Sequence, residues 1–140
     1  MENNLIFVPL VIQVALTIWL YIALINAKSK AVERGEVNEE RRALHADAWP
    51  DSVLKINNSI RNQFEVPVLF YVVIGMLWAI GAVNTFVHIA AWVFVVSRIV
   101  HMFVHTGSNF VPLRRKVFTL GVFILIGLLV FLAYKLMFQV

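Results

Sequence analysis

The chain has 140 residues, of which 61% are hydrophobic and only 14% charged, with a formal net charge of +4 and no cysteine. Soluble domains carry about 45–50% apolar and about 25% charged residues, and a soluble domain of this size could not hide so much apolar surface without large exposed patches. Together with a mean hydropathy of +0.82, this argues against a soluble enzyme, a nucleic-acid-binding domain and a disordered tail. Without cysteine there is no disulfide scaffold, thiolate metal site or cysteine nucleophile.

A bilayer core about 30 Å thick needs about 20 consecutive apolar residues in a helix. Four stretches qualify, at about residues 5–27, 63–83, 86–104 and 117–138. The expected fold class is therefore all-α: a bundle of four transmembrane helices forming one integral membrane domain over residues 1–140. The first span is interrupted only by Gln13, Thr17 and Asn26. Its leader, Met1-Glu2-Asn3-Asn4, lacks basic residues, and the span exceeds a signal-peptide core of about 7–15 residues, so it is expected to stay as an anchor.

A polar connection follows at 28–62, holding Lys28, Lys30, Arg34, Arg41, Arg42, Lys55 and Arg61. Within it, Glu33, Glu36, Glu39 and Glu40 interleave with arginines, the pattern of a solvated helical face. Trp49-Pro50-Asp51 marks a turn before the chain re-enters the membrane, with Trp49 suited to the interface. Asn57-Asn58-Ser59 matches a glycosylation sequon, on a side of the membrane where its use is not expected. The second and third spans are joined by the uncharged hairpin Gly81-Ala82-Val83-Asn84-Thr85. The third and fourth are joined by a connection at 105–116 that carries Arg114, Arg115 and Lys116.

With four spans the two polar connections share one side, and only Lys135 lies near the other. The positive-inside rule then puts both connections in the cytoplasm and both termini outside. The net charge is an orientation signal, and no nucleic-acid partner is expected.

Charges at membrane depth are costly and lean towards function. Steps of three and four put Asn58, Arg61, Asn62 and Glu65 on one helical face, where Arg61 and Glu65 can pair. Pro67 should loosen the helix just beyond them. The third span carries Arg98, His101 and His105 along one face, and Arg98 is expected to pair with the Glu65 face of the neighbouring helix. Ser108, Asn109, Arg114 and Arg115 are close enough in sequence to rim the same pocket. Such a pocket is polar, net positive and suited to a small anionic ligand, with a lipophilic second ligand arriving from the bilayer.

Other uses of the histidines fare poorly. His88 and His101 stand thirteen apart, a rise of about 19.5 Å, the spacing of two haem ligands on one helix. Their partners on a second helix are missing, because His45 lies in the connection. His101 and His105 at i, i+4 have no obvious acidic third ligand. No metal or haem is expected, and His88 is read as an interfacial or packing residue.

Asn62-Gln63-Phe64-Glu65, followed by Pro67-Val68-Leu69-Phe70-Tyr71, resembles the second-helix signature of the superfamily of membrane-associated proteins in eicosanoid and glutathione metabolism, its bacterial members above all. Arg98-x-x-His101-x-x-x-His105 and the later Pro112-Leu113-Arg114-Arg115-Lys116 resemble the family's third helix and the connection after it. The resemblance covers essentially the whole chain. It implies a homotrimer with the active site between neighbours, glutathione as co-substrate, and a lipophilic second substrate held against the apolar interface among membrane lipids. Carried over by motif, Asn58, Arg61, Asn62, Glu65, Arg98, His101 and His105 would bind glutathione. Arg114 and Arg115 would be catalytic, one of them stabilising the thiolate. Two positions depart from the family pattern: Asn58 stands where an arginine is usual, and His105 where a tyrosine is usual.

The function this implies is a glutathione-dependent transferase or peroxidase acting on lipophilic electrophiles or lipid hydroperoxides, in the inner membrane of a bacterium. The alternatives are a non-catalytic lipid-binding or accessory protein of the same fold, and a small transporter using Glu65, Arg98 and His101. The spans show no repeat symmetry of the kind transporters carry.

Overall fold

The computed structural model describes residues 3–138, so Met1 and Glu2 of the leader lie outside the described residues. After a short 3-10 turn at Asn3–Ile6 come five α-helices: α1 (Phe7–Glu33), α2 (Asp51–Gln63), α3 (Val66–Ala79), α4 (Thr85–Thr106) and α5 (Val111–Phe138). Four helical segments are long and apolar enough to cross a membrane: Asn3–Glu33, Asp51–Ala79 (α2 and α3 together), Thr85–Thr106 and Val111–Phe138. The described residues contain no strand, so the all-α class and the span count agree with the reading of the sequence.

The helices run beyond the apolar stretches. α1 continues past Ala27 to Glu33, and α5 starts at Val111, so Arg114, Arg115 and Lys116 stand on its first turns and not in a loop. Pro112 fits there, because the first turn of a helix has no intrahelical partner for the N–H that proline lacks. Half of the polar connection is helical too, since α2 follows directly on Pro50. Ser59 of the sequon is consequently buried on that helix. The acidic and basic residues after Glu33 form exposed turns, not a helical face. Two ion pairs order them, Arg41–Asp47 at 3.0 Å and Arg42–Glu39 at 2.9 Å.

Pro67 does more than loosen the second span. Its ring opposes the Gln63 carbonyl, and the helix breaks at Phe64 and Glu65, with Glu65 at φ −99°, ψ −105°. The expected i, i+4 pair of Arg61 and Glu65 therefore does not form: Arg61 is on the last turn of α2, and Glu65 lies in the break before α3. The hairpin before α4 is closed by Gly81, at φ +68°, whose N–H bonds the Trp78 carbonyl while that of Ala82 bonds Leu77. Asn84 then caps α4 by accepting from the Val87 N–H at 3.0 Å.

Packing centres on α4. Half of its most apolar stretch is buried inside the chain, against 22% for α1 and for α5. One core cluster joins α3, α4 and α5, with Phe70 stacked on Phe94 at 4.2 Å between ring centroids. A second joins α1, α2 and α4 through Leu20, Leu24, Val53, Ile60 and Met102. Where α5 meets α4, Gly121 lets Ser97, Phe94 and the Arg98 stem approach closely. At membrane depth Gln13 of α1 donates to Gln63 of α2 at 2.6 Å, both side chains buried. The outward faces carry large apolar side chains such as Val11, Ile25, Phe123 and Val130, suited to lipid.

Candidate functional site

At the end of the bundle where α4 stops and α5 begins, a cavity of about 310 Å³ opens between α2, α4 and α5. Its walls are Asn62 from α2, His101 and His105 from α4, and Val111, Arg114, Arg115 and Phe118 from α5. The histidines stand one helical turn apart with rings stacked, 5.7 Å between centroids and 18° between planes. Both are almost fully buried, and the Nδ1 of each has no hydrogen-bond partner among the described residues.

Arg114 is held in place by the turn before it. Its Nη1 donates to Asn109 Oδ1 at 2.5 Å, and its N–H donates to the Phe110 carbonyl. Asn109 sits in the left-handed region at φ 53°, a conformation that asparagine tolerates better than most residues. Gly107 makes this tight reversal possible: a Cβ there would meet the Phe103 carbonyl oxygen at 2.8 Å.

Arg98 lies deeper. It is completely buried, its guanidinium faces the Phe118 ring at 5.6 Å, and its three nitrogens have no hydrogen-bond partner among the described residues. The expected ion pair with Glu65 is absent. Among the described residues the only ion pairs are the two in the polar connection, and Glu65 is exposed. Glu65 lies in the break between α2 and α3, within no ion-pair distance of Arg98.

The cavity thus brings together Asn62, His101, His105, Arg114 and Arg115, with Arg98 beneath them. Asn58, Arg61 and Glu65 are exposed and do not line it. Phe118 was missed at the level of sequence, although Val111, Arg114, Arg115 and Phe118 repeat at helical spacing. Reading 105–116 as a loop concealed that stripe.

Chemically the walls supply guanidinium, imidazole and amide groups and no carboxylate. The N-terminal end of α5, with its unpaired N–H groups, adds to the positive field. The arrangement favours an anion. No three His, Cys, Asp or Glu side chains gather as a metal site would need among the described residues.

A family model described as the MAPEG family matches residues 6–134. Comparison with curated proteins and with solved structures gave no match.

Proposed function

Because the chain belongs to the MAPEG family, membrane-associated proteins of eicosanoid and glutathione metabolism, we propose that it is a glutathione-dependent transferase or peroxidase acting on lipophilic electrophiles or lipid hydroperoxides. The observation that carries this reading is the cavity itself, cationic on its α5 wall, free of carboxylates and open at one end of a four-span bundle. Its volume of about 310 Å³ falls at the lower end of the roughly 300–1,000 Å³ of small-molecule sites. The orphaned Arg98 nitrogens are donors in want of acceptors, which the carboxylates and peptide carbonyls of glutathione supply, while the free Nδ1 atoms of His101 and His105 can each complete one further hydrogen bond.

In this reading Arg114, fixed by Asn109, and Arg115 place positive charge beside the thiol. A free thiol has a pKa near 8.5, and a guanidinium close by favours the thiolate, each unit of depression corresponding to about 1.4 kcal/mol. The proton leaves to water at the cavity mouth, since arginine stays charged throughout. In conjugation the sulfur bonds an electrophilic carbon and the leaving group departs with the bonding electrons. In peroxide reduction the sulfur takes one peroxide oxygen as the O–O bond breaks, and the other leaves as the alcohol. A second glutathione then gives the disulfide and water.

The second substrate enters from the bilayer. An apolar groove of about 270 Å³ between α1 and the α2–α3 break, lined by Thr17, Tyr21, Phe64 and Tyr71 among others, supports that route. Asn58, Arg61 and Glu65, exposed on one subunit, complete the site at the interface of a homotrimer. The cavity faces the cytoplasm of a bacterial inner membrane, a placement supported by the Lys and Arg residues concentrated at that end.

The test is titration of the purified, detergent-solubilised protein with glutathione, followed by calorimetry and by near-ultraviolet thiolate absorbance, with S-methyl glutathione as control. Saturable binding with thiolate formation near neutral pH is the expected result. Binding without thiolate would mean a glutathione-binding fold without the activating arginine, and no binding at millimolar glutathione would overturn the enzyme reading in favour of a lipid-binding or accessory protein.

A further inference from the structure

A second cavity, of about 190 Å³, lies between α1, the polar connection and the start of α2. Lys28, Arg42, His45, Trp49 and Asn57 line it together with the apolar Leu44, Val53 and Leu54 at its edge, and no carboxylate does. Glu39 approaches only from outside, pairing with Arg42 Nε at 2.9 Å. Lys28 makes no ion pair or hydrogen bond among the described residues. Its ammonium instead sits 4.8 Å from the centroid of the Trp49 ring. The His45 and Asn57 side chains bond no other described residue, so both are free to turn towards a ligand in the cavity.

The position of this cavity decides its ligand. Lys28 is the first charged residue after the long apolar stretch of α1, so its stem lies along hydrocarbon while its head reaches the interface. Trp49 is the residue type that belts membrane interfaces. Leu44, between Ala43 and His45, is 89% exposed, an isolated leucine at the tip of a charged turn. A cation, an indole and an exposed leucine at one level match the zone where phosphate headgroup meets acyl chain.

We propose that this cavity binds the headgroup of an anionic phospholipid. The phosphodiester sits among Lys28, Arg42 and His45, and Leu44 inserts beside it into the acyl boundary. Arg42 exchanges part of its contact with Glu39 for the phosphate, while Arg41, tied to Asp47 by two hydrogen bonds of 3.2 and 3.0 Å, keeps the turn in shape. The site stands on a different wall of the bundle from the His101–Arg114 cavity and does not depend on what that cavity binds.

The full-length protein in detergent micelles, titrated separately with phosphatidylglycerol and with phosphatidylcholine and read by native mass spectrometry, tests this. Wild type is expected to retain one phosphatidylglycerol per chain at several-fold lower concentration than phosphatidylcholine. Arg42→Gln and Lys28→Gln are each expected to reduce that preference about fivefold, in line with the contribution of one basic residue near an anionic surface. Lys135→Gln, at the other end of the bundle, should leave it intact. Arg42 is exposed, so its variant folds even if loss of the Lys28–Trp49 contact disturbs α1. Equal retention of the two lipids, or an unchanged preference in Arg42→Gln, would overturn the proposal. So would binding of inorganic phosphate with the same residue dependence and no preference between the lipids, which would make the site one for a free anion.

Discussion

Arg114 and Asn109 are joined across the start of α5 by a 2.5 Å hydrogen bond, so the guanidinium that faces the cavity is aimed by a residue of the preceding turn. Arginine side chains are long and rotamer-rich, and a fixed donor at this point costs less ordering when a ligand arrives. Asn109→Gly isolates the effect, because glycine accepts φ 53° without penalty. Glutathione-dependent kcat/KM is expected to fall about five- to tenfold with little change in thermal stability, as suits loss of one hydrogen bond worth about 1 kcal/mol. Unchanged kinetics would mean that Arg114 needs no such support.

The turn itself depends on Gly107. Alanine there would bring a Cβ to 2.8 Å from the Phe103 carbonyl oxygen, which is backbone and cannot simply rotate away. Gly107→Ala is expected to destabilise the protein by about 1–3 kcal/mol and to reduce activity by displacing Arg114. Gly127→Ala is the control. Nothing lies within 4 Å of a Cβ at that position, so stability should hold or rise by up to about 1 kcal/mol through helix propensity. Chemical or thermal unfolding of the two variants in the same detergent decides the comparison.

Arg98 carries a different expectation from the one its neighbourhood in sequence suggests. If Glu65 were its partner, removing Arg98 would strand a carboxylate at depth. Instead the guanidinium is buried with no partner among the described residues. Arg98→Met, of similar bulk, should therefore leave the ligand-free protein as stable or more stable, since a buried unpaired charge is costly. A marked loss of stability would show that another group, from a lipid or a neighbouring subunit, neutralises Arg98.

The Gln13–Gln63 bond ties α1 to α2 across the membrane interior. A double-mutant cycle with leucine at both positions should give a coupling of about 0.6–1.7 kcal/mol, the range for hydrogen bonds between membrane helices. The double variant should be less destabilised than the sum of the single ones, because neither amide is left without its partner.

The four apolar stretches were legible because a run of about 20 apolar residues has few other uses. What lay at their ends was not. Lys28 to Glu33 and Val111 to Lys116 are helical in the structure, yet their charges resemble loop composition, since helix ends that leave the membrane become polar without ceasing to be helices. The same effect hid α2, a polar amphipathic helix read as connection. The break at Phe64 and Glu65 follows from Pro67, which was visible, but the face shared by Asn58, Arg61, Asn62 and Glu65 was extrapolated across it. For the site, the helical spacing of His101 and His105 on α4 is the feature that sets both on one cavity wall. The depth of Arg98 and the outward position of Glu65 depend on how three helices pack, which spacing along one helix does not contain.

The most direct measurement of the central claim, an arginine-held glutathione thiolate in this cavity, is thiolate absorbance during glutathione titration of wild type, Arg114→Ala and Arg115→Ala. Both arginines stand on the outer part of the α5 start, Arg114 half-buried and Arg115 exposed, so both variants should fold. Wild type is expected to form thiolate saturably near neutral pH, and at least one variant to lose it while still binding S-methyl glutathione. Thiolate formation undiminished in both variants would contradict the mechanism.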